Sequence, residues 1–141
     1  MKSIILSVLT LIVSVCKAQT VIGPSVISWG GSVGYGFNPK EETYLWTTWI
    51  NYEFNRTKKI SPLMGLQMIT WNTPSVVNRY FIPQFQMGLV TKGGYVIYYG
   101  FPTYEKLHSV GFGFYTGYQQ YRIEYYKEKQ AITFGCGFII N

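Results

Sequence analysis

The sequence predicts an all-β protein, a closed antiparallel up-and-down transmembrane β-barrel of about eight strands. Three observations lead there. Long runs of the chain alternate between a large apolar residue and a small or polar one. Only 13% of the residues are charged while 18% are aromatic. That is about half the usual charge of a soluble domain, too little to solvate a water-facing surface. The runs also lie behind an N-terminal segment with the layout of an export signal.

That segment comes first. Residues 1–18 read as a cleaved signal peptide: Lys2 is the charged start, residues 4–15 are the apolar stretch, and Cys16 and Ala18 precede the cleavage point. The apolar stretch is too short to cross a bilayer as a helix. A rival reading takes Val13-Ser14-Val15-Cys16 as a lipobox with Cys16 lipidated, although Val15 stands where a small residue is the rule. Residues 19–141 then make one domain. It holds Cys136 and His108, too little for an internal disulfide or a zinc site. Cys136 falls on an apolar face and reads as a small hydrophobe.

Eight runs follow, at residues 26–37, 43–54, 60–71, 79–91, 95–102, 108–118, 121–127 and 130–140. The turns between them, at 38–42, 55–59, 72–75, 92–94, 103–106, 119–120 and 127–129, carry Pro, Gly, Asn or charge, save the polar Gln119-Gln120. From Ile27 to Phe37 in the first run, Ile27, Trp29, Val33, Tyr35 and Phe37 share one face with Gly31, and the other face is only Ser or Gly. A strand sends alternate side chains to opposite faces, so this strand is greasy on one side and narrow on the other. In the second run Tyr44, Trp46, Thr48, Ile50, Tyr52 and Phe54 oppose Leu45, Thr47, Trp49, Asn51 and Glu53. Aromatics at both ends of the first set match two interfacial girdles. The third and fourth runs contain Pro62 and Pro83. Proline donates no N–H and a closed barrel has no free edge, so a bulge or a strand end is expected at both. In the fourth, Phe81, Phe85, Met87 and Leu89 oppose Tyr80, Gln84, Gln86 and Gly88. Pro102 stops the fifth run, and the seventh is short. In the sixth, Val110, Phe112 and Phe114 alternate with glycine, and in the eighth Phe134, Cys136, Phe138 and Ile140 keep the period.

The same parity sorts the side chains. Trp29, Phe37, Tyr44, Trp46, Phe54, Phe81, Phe112, Phe114, Phe134 and Phe138 should face lipid or its interfaces. Glu53, Arg122 and Glu124 should point into the lumen with Asn51, Gln67, Gln84 and Gln86. An eight-stranded barrel is only wide enough for its side chains to fill it, and buried charges need partners. Arg122 is therefore expected to pair with Glu53, Glu124 or both, inside a structural polar plug; the functional alternative is a proton or ion path. Inward glycines at 30, 34, 36, 111, 113, 117, 135 and 137 leave space for Trp49, Tyr98, Tyr115 and Tyr126 to fill, or for a ligand cavity. They form no phosphate loop, because no helix follows them.

Without Lys2 and Lys17 of the signal the net charge of +6 falls to +4, an excess spread over several turns. Nucleic-acid binding needs a concentrated basic patch, so no nucleic-acid partner is expected, and Arg56-Thr57-Lys58-Lys59 reads as a solvated turn. Asn55-Arg56-Thr57, a glycosylation sequon by pattern, also reads as a turn. No cofactor and no metal are expected.

With these runs in place, the chain resembles the small eight-stranded outer-membrane β-barrel proteins of Gram-negative bacteria. The resemblance covers residues 19–141 and rests on pattern. Its last residues, Phe138-Ile139-Ile140-Asn141, depart from the terminal aromatic of many members. The resemblance implies an outer-membrane location, a periplasmic N-terminus, and external loops at residues 39–42, 72–77, 103–107 and 127–129. It implies outer-membrane lipid and the barrel assembly machinery as partners, and a monomer. The expected role is structural or surface-interacting, with no open pore and no catalysis. Some members are lipid A deacylases with a Ser-His-Glu arrangement. That chemistry needs a base within reach of the hydroxyl. Here His108 and Ser109 are adjacent, and a strand would turn them to opposite faces; the family motif has one residue between them. A lipid-modifying barrel enzyme and a soluble, exported lipocalin-like binding barrel are the alternatives.

Overall fold

The structure is a computed structural model that describes residues 25–39, 42–54, 58–73, 76–103 and 106–140, without the side chains of residues 73–81. The signal-peptide and Cys16 readings lie outside the described residues. Eight strands follow one another: β1 (Ser25–Gly36), β2 (Thr43–Phe54), β3 (Ile60–Thr73), β4 (Val76–Thr91), β5 (Tyr95–Pro102), β6 (Ser109–Thr116), β7 (Gln119–Tyr126) and β8 (Ala131–Ile140). Each pairs antiparallel with the next, and β8 pairs with β1, which closes an up-and-down barrel.

Two boundaries differ from the sequence reading. Gln119 and Gln120 are not a turn but the start of β7; the turn is Gly117-Tyr118, and Gly117 takes a positive φ of 58°. That conformation costs glycine little, which is why the chain reverses there. β3 and β4 also run further than expected, pairing out to Thr73↔Val76 past a register shift between Trp71 and Thr73.

The prolines show where ladders end. No bulge interrupts the β3–β4 register at Pro62↔Leu89 or at Met68↔Pro83. Instead, Pro62 lies one residue beyond the last β2–β3 pair, Glu53↔Leu63. Pro83 lies one residue beyond the last β4–β5 pair, Gln84↔Pro102. Each proline therefore has one flank without a strand partner, where a missing N–H breaks no ladder.

Stepping around the ladders from Ser28 gives Asn51, Gly65, Gln86, Gly100, Ser109, Tyr126, Ala131 and then Gly36, eight positions further along β1. Strand number and stagger together set tilt and width. Eight strands with a shear of eight tilt by about 36°. At about 3.3 Å per residue, an eight-residue strand tilted that way rises about 21 Å. β5, β6 and β7 have this length, whereas β3 and β4 are 14 and 16 residues long. The wall is tall on one side and short on the other.

The lumen is layered. Near the rim that holds Ser25 and Ile140 (the terminal rim), Val26, Leu63, Val90, Val96, Tyr98, Tyr115 and Ile139 form one apolar cluster. Near the opposite, distal rim, Leu45, Ile69, Trp71, Ile82, Leu107, Tyr126 and Ala131 form another. Leu107, expected in an external loop, is buried and plugs this end. Polar side chains fill the space between the two clusters.

Candidate functional site

The central layer is built on the glycine wall. A Cβ on Gly30 or Gly137 would fall 2.5 Å and 2.3 Å from the Trp49 ring. The indole from β2 therefore lies across β1 and β8, on space that only glycine leaves open. A Cβ on Gly111 would fall 1.9 Å from Cζ of Tyr98, so the phenol from β5 lies across β6 in the same way. Arg122 of β7 fits between these two rings, with its guanidinium carbon 4.2 Å from the Trp49 centroid and 4.0 Å from the Tyr98 centroid. A cation against an aromatic face is attracted by the ring quadrupole, more strongly where water is excluded. The expected filling of the lumen by large rings is what the geometry shows at Trp49 and Tyr98.

Glu53, Arg122, Glu124, Asn51, Gln67, Gln84 and Gln86 are all buried, none more than 4% exposed. Five groups close a hydrogen-bonded ring. Arg122 Nε donates to the Tyr98 hydroxyl at 2.8 Å, and Tyr98 donates to Glu124 Oε2 at 3.3 Å. Arg122 Nη2 donates to Gln86 Oε1 at 2.8 Å, Gln86 Nε2 donates to Gln67 Oε1, and Gln67 Nε2 donates to Glu124 Oε2 at 3.1 Å. Gln67 also donates to the Tyr126 hydroxyl. The expected pairing of Arg122 with a carboxylate is thus replaced by an indirect one. Its hydrogen bonds go to Tyr98 and Gln86, and neither Glu53 nor Glu124 is a direct partner. The physical reason is the pair of rings. They cover the guanidinium and leave its N–H groups to neutral dipoles, which pass the interaction to Glu124 through Tyr98 and through Gln86, the latter both by way of Gln67 and directly at 3.5 Å. Dipoles aligned head to tail polarise one another in a low-dielectric interior.

Toward the distal rim, Gln84 Nε2 donates to the Leu107 carbonyl at 2.7 Å, and Gln84 Oε1 accepts from Ser109 Oγ at 3.1 Å. Ser32 and Thr47 share a hydrogen bond across β1 and β2. Toward the terminal rim, Tyr115 donates to Ser28 Oγ at 3.3 Å. Both amide atoms of Asn51 and of Gln120, with Arg122 Nη1, Trp49 Nε1 and Thr133 Oγ1, are buried with no hydrogen-bond partner among the described residues. Gln120 was missed as a lumen residue because it was read as a turn. Its two-residue spacing from Arg122 and Glu124 is the signal that places it on their face.

His108 and Ser109 are not brought together. Ser109 is buried and donates to Gln84, while the His108 ring shares a hydrogen bond with the Tyr99 hydroxyl. The His108 backbone N–H donates to Glu128 at 2.8 Å. Among the described residues, no group of three or more His, Cys, Asp or Glu is placed to hold a metal.

The outer wall reverses the lumen. Trp29, Phe37, Tyr44, Trp46, Phe54, Phe112, Phe134 and Phe138 are exposed, and Phe114 is half-buried against Tyr121. Phe81 lies among the side chains that are not described. Aromatic pairs line both rims: Tyr52–Phe54 at 4.6 Å and Phe114–Tyr121 at 5.4 Å toward the terminal rim, Tyr35–Tyr44 at 5.3 Å and Tyr99–Phe101 at 4.7 Å toward the distal one. Ile50, Leu66, Met68, Met87, Ile97 and Ile123 are exposed between them. Among the described side chains, no strand carries a charged residue on this outer face. Comparison with protein-family models, curated proteins and solved structures gives no match.

Proposed function

We propose that this chain is an integral membrane β-barrel of a Gram-negative outer membrane, exported by a cleaved signal peptide, with a structural or surface-interaction role and a sealed lumen. One observation carries the reading: the outer wall is uncharged among the described side chains and aromatic at both rims, while the strand charges Glu53, Arg122 and Glu124 are buried inside. A water-facing barrel needs the reverse. An exposed apolar surface of this extent is a lipid or partner surface, and the band between aromatic girdles of a membrane barrel is about 25 Å tall. The short side of this wall, at about 21 Å, is of that order. In this reading the terminal rim is periplasmic, lipid covers the wall, the barrel assembly machinery inserts the chain, and the barrel acts as a monomer. The Trp49–Arg122–Tyr98 stack crosses the lumen, which favours a plug over a conducting pore and leaves the loops and rims as the surfaces available for contact.

Detergent dependence tests this. The purified protein should fold only with detergent or lipid, and its unboiled form should migrate differently from its boiled form on a denaturing gel. A chain that stays folded and soluble without either would overturn the reading.

A further inference from the structure

The two rims differ in charge. At the distal rim the described charges are mixed: Lys106, Lys127 and Lys129 stand with Glu42 and Glu128. At the terminal rim the described exposed charges are Lys58, Lys59 and Lys92, all of one sign. Glu53, the acid nearest to them along the chain, is fully buried in the lumen.

The lysines are held together by the fold. The β3–β4 ladder ends at Ile60↔Thr91, and Lys92 N–H donates to the Lys59 carbonyl at 2.8 Å, one step further on. Lys59 and Lys92 therefore stand opposite each other, with Lys58 beside them. The turn that carries Lys92 is pinned. Gly94, at a φ of 84°, donates to the Thr91 carbonyl at 2.9 Å and accepts from Tyr115 N–H at 2.9 Å; Tyr95 N–H donates to Thr91 Oγ1 at 3.1 Å. Like charges directly opposed across a ladder repel, and none of the three lysines has an ion-pair partner among the described residues. A rigid frame that keeps three cations together calls for an anionic counterpart. Tyr95, Tyr52 and Phe54 are exposed on the same rim, and interfacial aromatics sit at headgroup level.

We infer that Lys58, Lys59 and Lys92 form a binding site for the phosphate headgroups of anionic phospholipids in the leaflet at the terminal rim. The inference rests on the membrane reading above. Basic residues at a bilayer surface each add to attraction for anionic lipid, and salt screens it.

Native mass spectrometry of the protein from mixed micelles of phosphatidylglycerol and phosphatidylcholine tests it. The wild-type barrel should retain phosphatidylglycerol in preference, and the preference should weaken with salt. Lys58→Gln/Lys59→Gln/Lys92→Gln should lower retention by about a hundredfold while keeping the heat-dependent gel shift of a folded barrel. Lys58→Arg/Lys59→Arg/Lys92→Arg, and the distal-rim control Lys106→Gln/Lys127→Gln, should retain the lipid. Undiminished retention in the glutamine variant, or equal loss in the distal control, would overturn the site. Displacement of the lipid by excess inorganic phosphate would assign the lysines to a free anion instead. A barrel that needs detergent but shows no lipid preference defeats this inference alone; one that folds without detergent defeats the membrane reading.

Discussion

Among the described residues Arg122 has no carboxylate against it, yet its interaction with Glu124 is conveyed through Tyr98 and through Gln86, directly and by way of Gln67. Removing one buried charge leaves the other without compensation and costs about 3–5 kcal/mol. Arg122→Met should therefore destabilise strongly, as should Glu124→Gln. The double variant should cost less than their sum by about 1–3 kcal/mol, because groups in one network are coupled. Urea unfolding of the detergent-refolded barrel measures all three, and strict additivity would deny the relay. Parity alone was enough to find these two residues. It could not show that Arg122 bonds to neutral groups, because that depends on where Trp49 and Tyr98 place their rings. Those placements follow in turn from Gly30, Gly137 and Gly111 on the neighbouring strands. The residue-level signal was a face, and the partners on that face were decided by three-dimensional fit.

Strand positions were legible for a related reason: period-two alternation survives wherever one face is apolar. The start of β7 was the exception. Gln119-Gln120 has no apolar member, so composition outweighed parity and the turn was placed two residues late. The β3–β4 hairpin was underestimated because turn-forming Asn72 and Thr73 are paired strand residues here. That hairpin carries a consequence. Val76 and residues 80–83 of β4 pair with β3 but lie past the last pair with β5, whereas residues 84–90 have strands on both sides. Stability within one fold varies with such local pairing. Hydrogen exchange should be faster for the amides at 76–82 than for those at 84–90. Equal protection would mean that the open flank of β4 is covered.

At the scale of the whole barrel, four tryptophans divide between two solvents. Trp29 and Trp46 are 49% and 64% exposed on the outer wall, whereas Trp49 and Trp71 are 4% and 5% exposed in the lumen. In vesicles of brominated phosphatidylcholine, the emission of the outer pair should be quenched by contact with the acyl chains. Trp29→Phe/Trp46→Phe should remove most of that quenching while leaving the barrel folded. Persistent quenching in that variant would put lipid, or its equivalent, inside the lumen. The closed topology was visible in the number and spacing of the runs. The stagger of eight positions was not, because register depends on pairing and no single strand records it. Tilt and the narrow bore follow from that quantity together with the strand number.

The indole of Trp49 lies across the seam where the last strand meets the first, over Gly30 on one side and Gly137 on the other. The Gly30 half forms with the β1–β2 hairpin, but the Gly137 half does not exist until β8 has docked on β1. Until then the ring has only half of its seat, and Arg122 lacks the settled Trp49 face. Final docking and desolvation of the guanidinium are therefore a single event. An open sheet would keep its cation in water, and the barrel would zip shut in one late step, with the emission of one tryptophan as its clock.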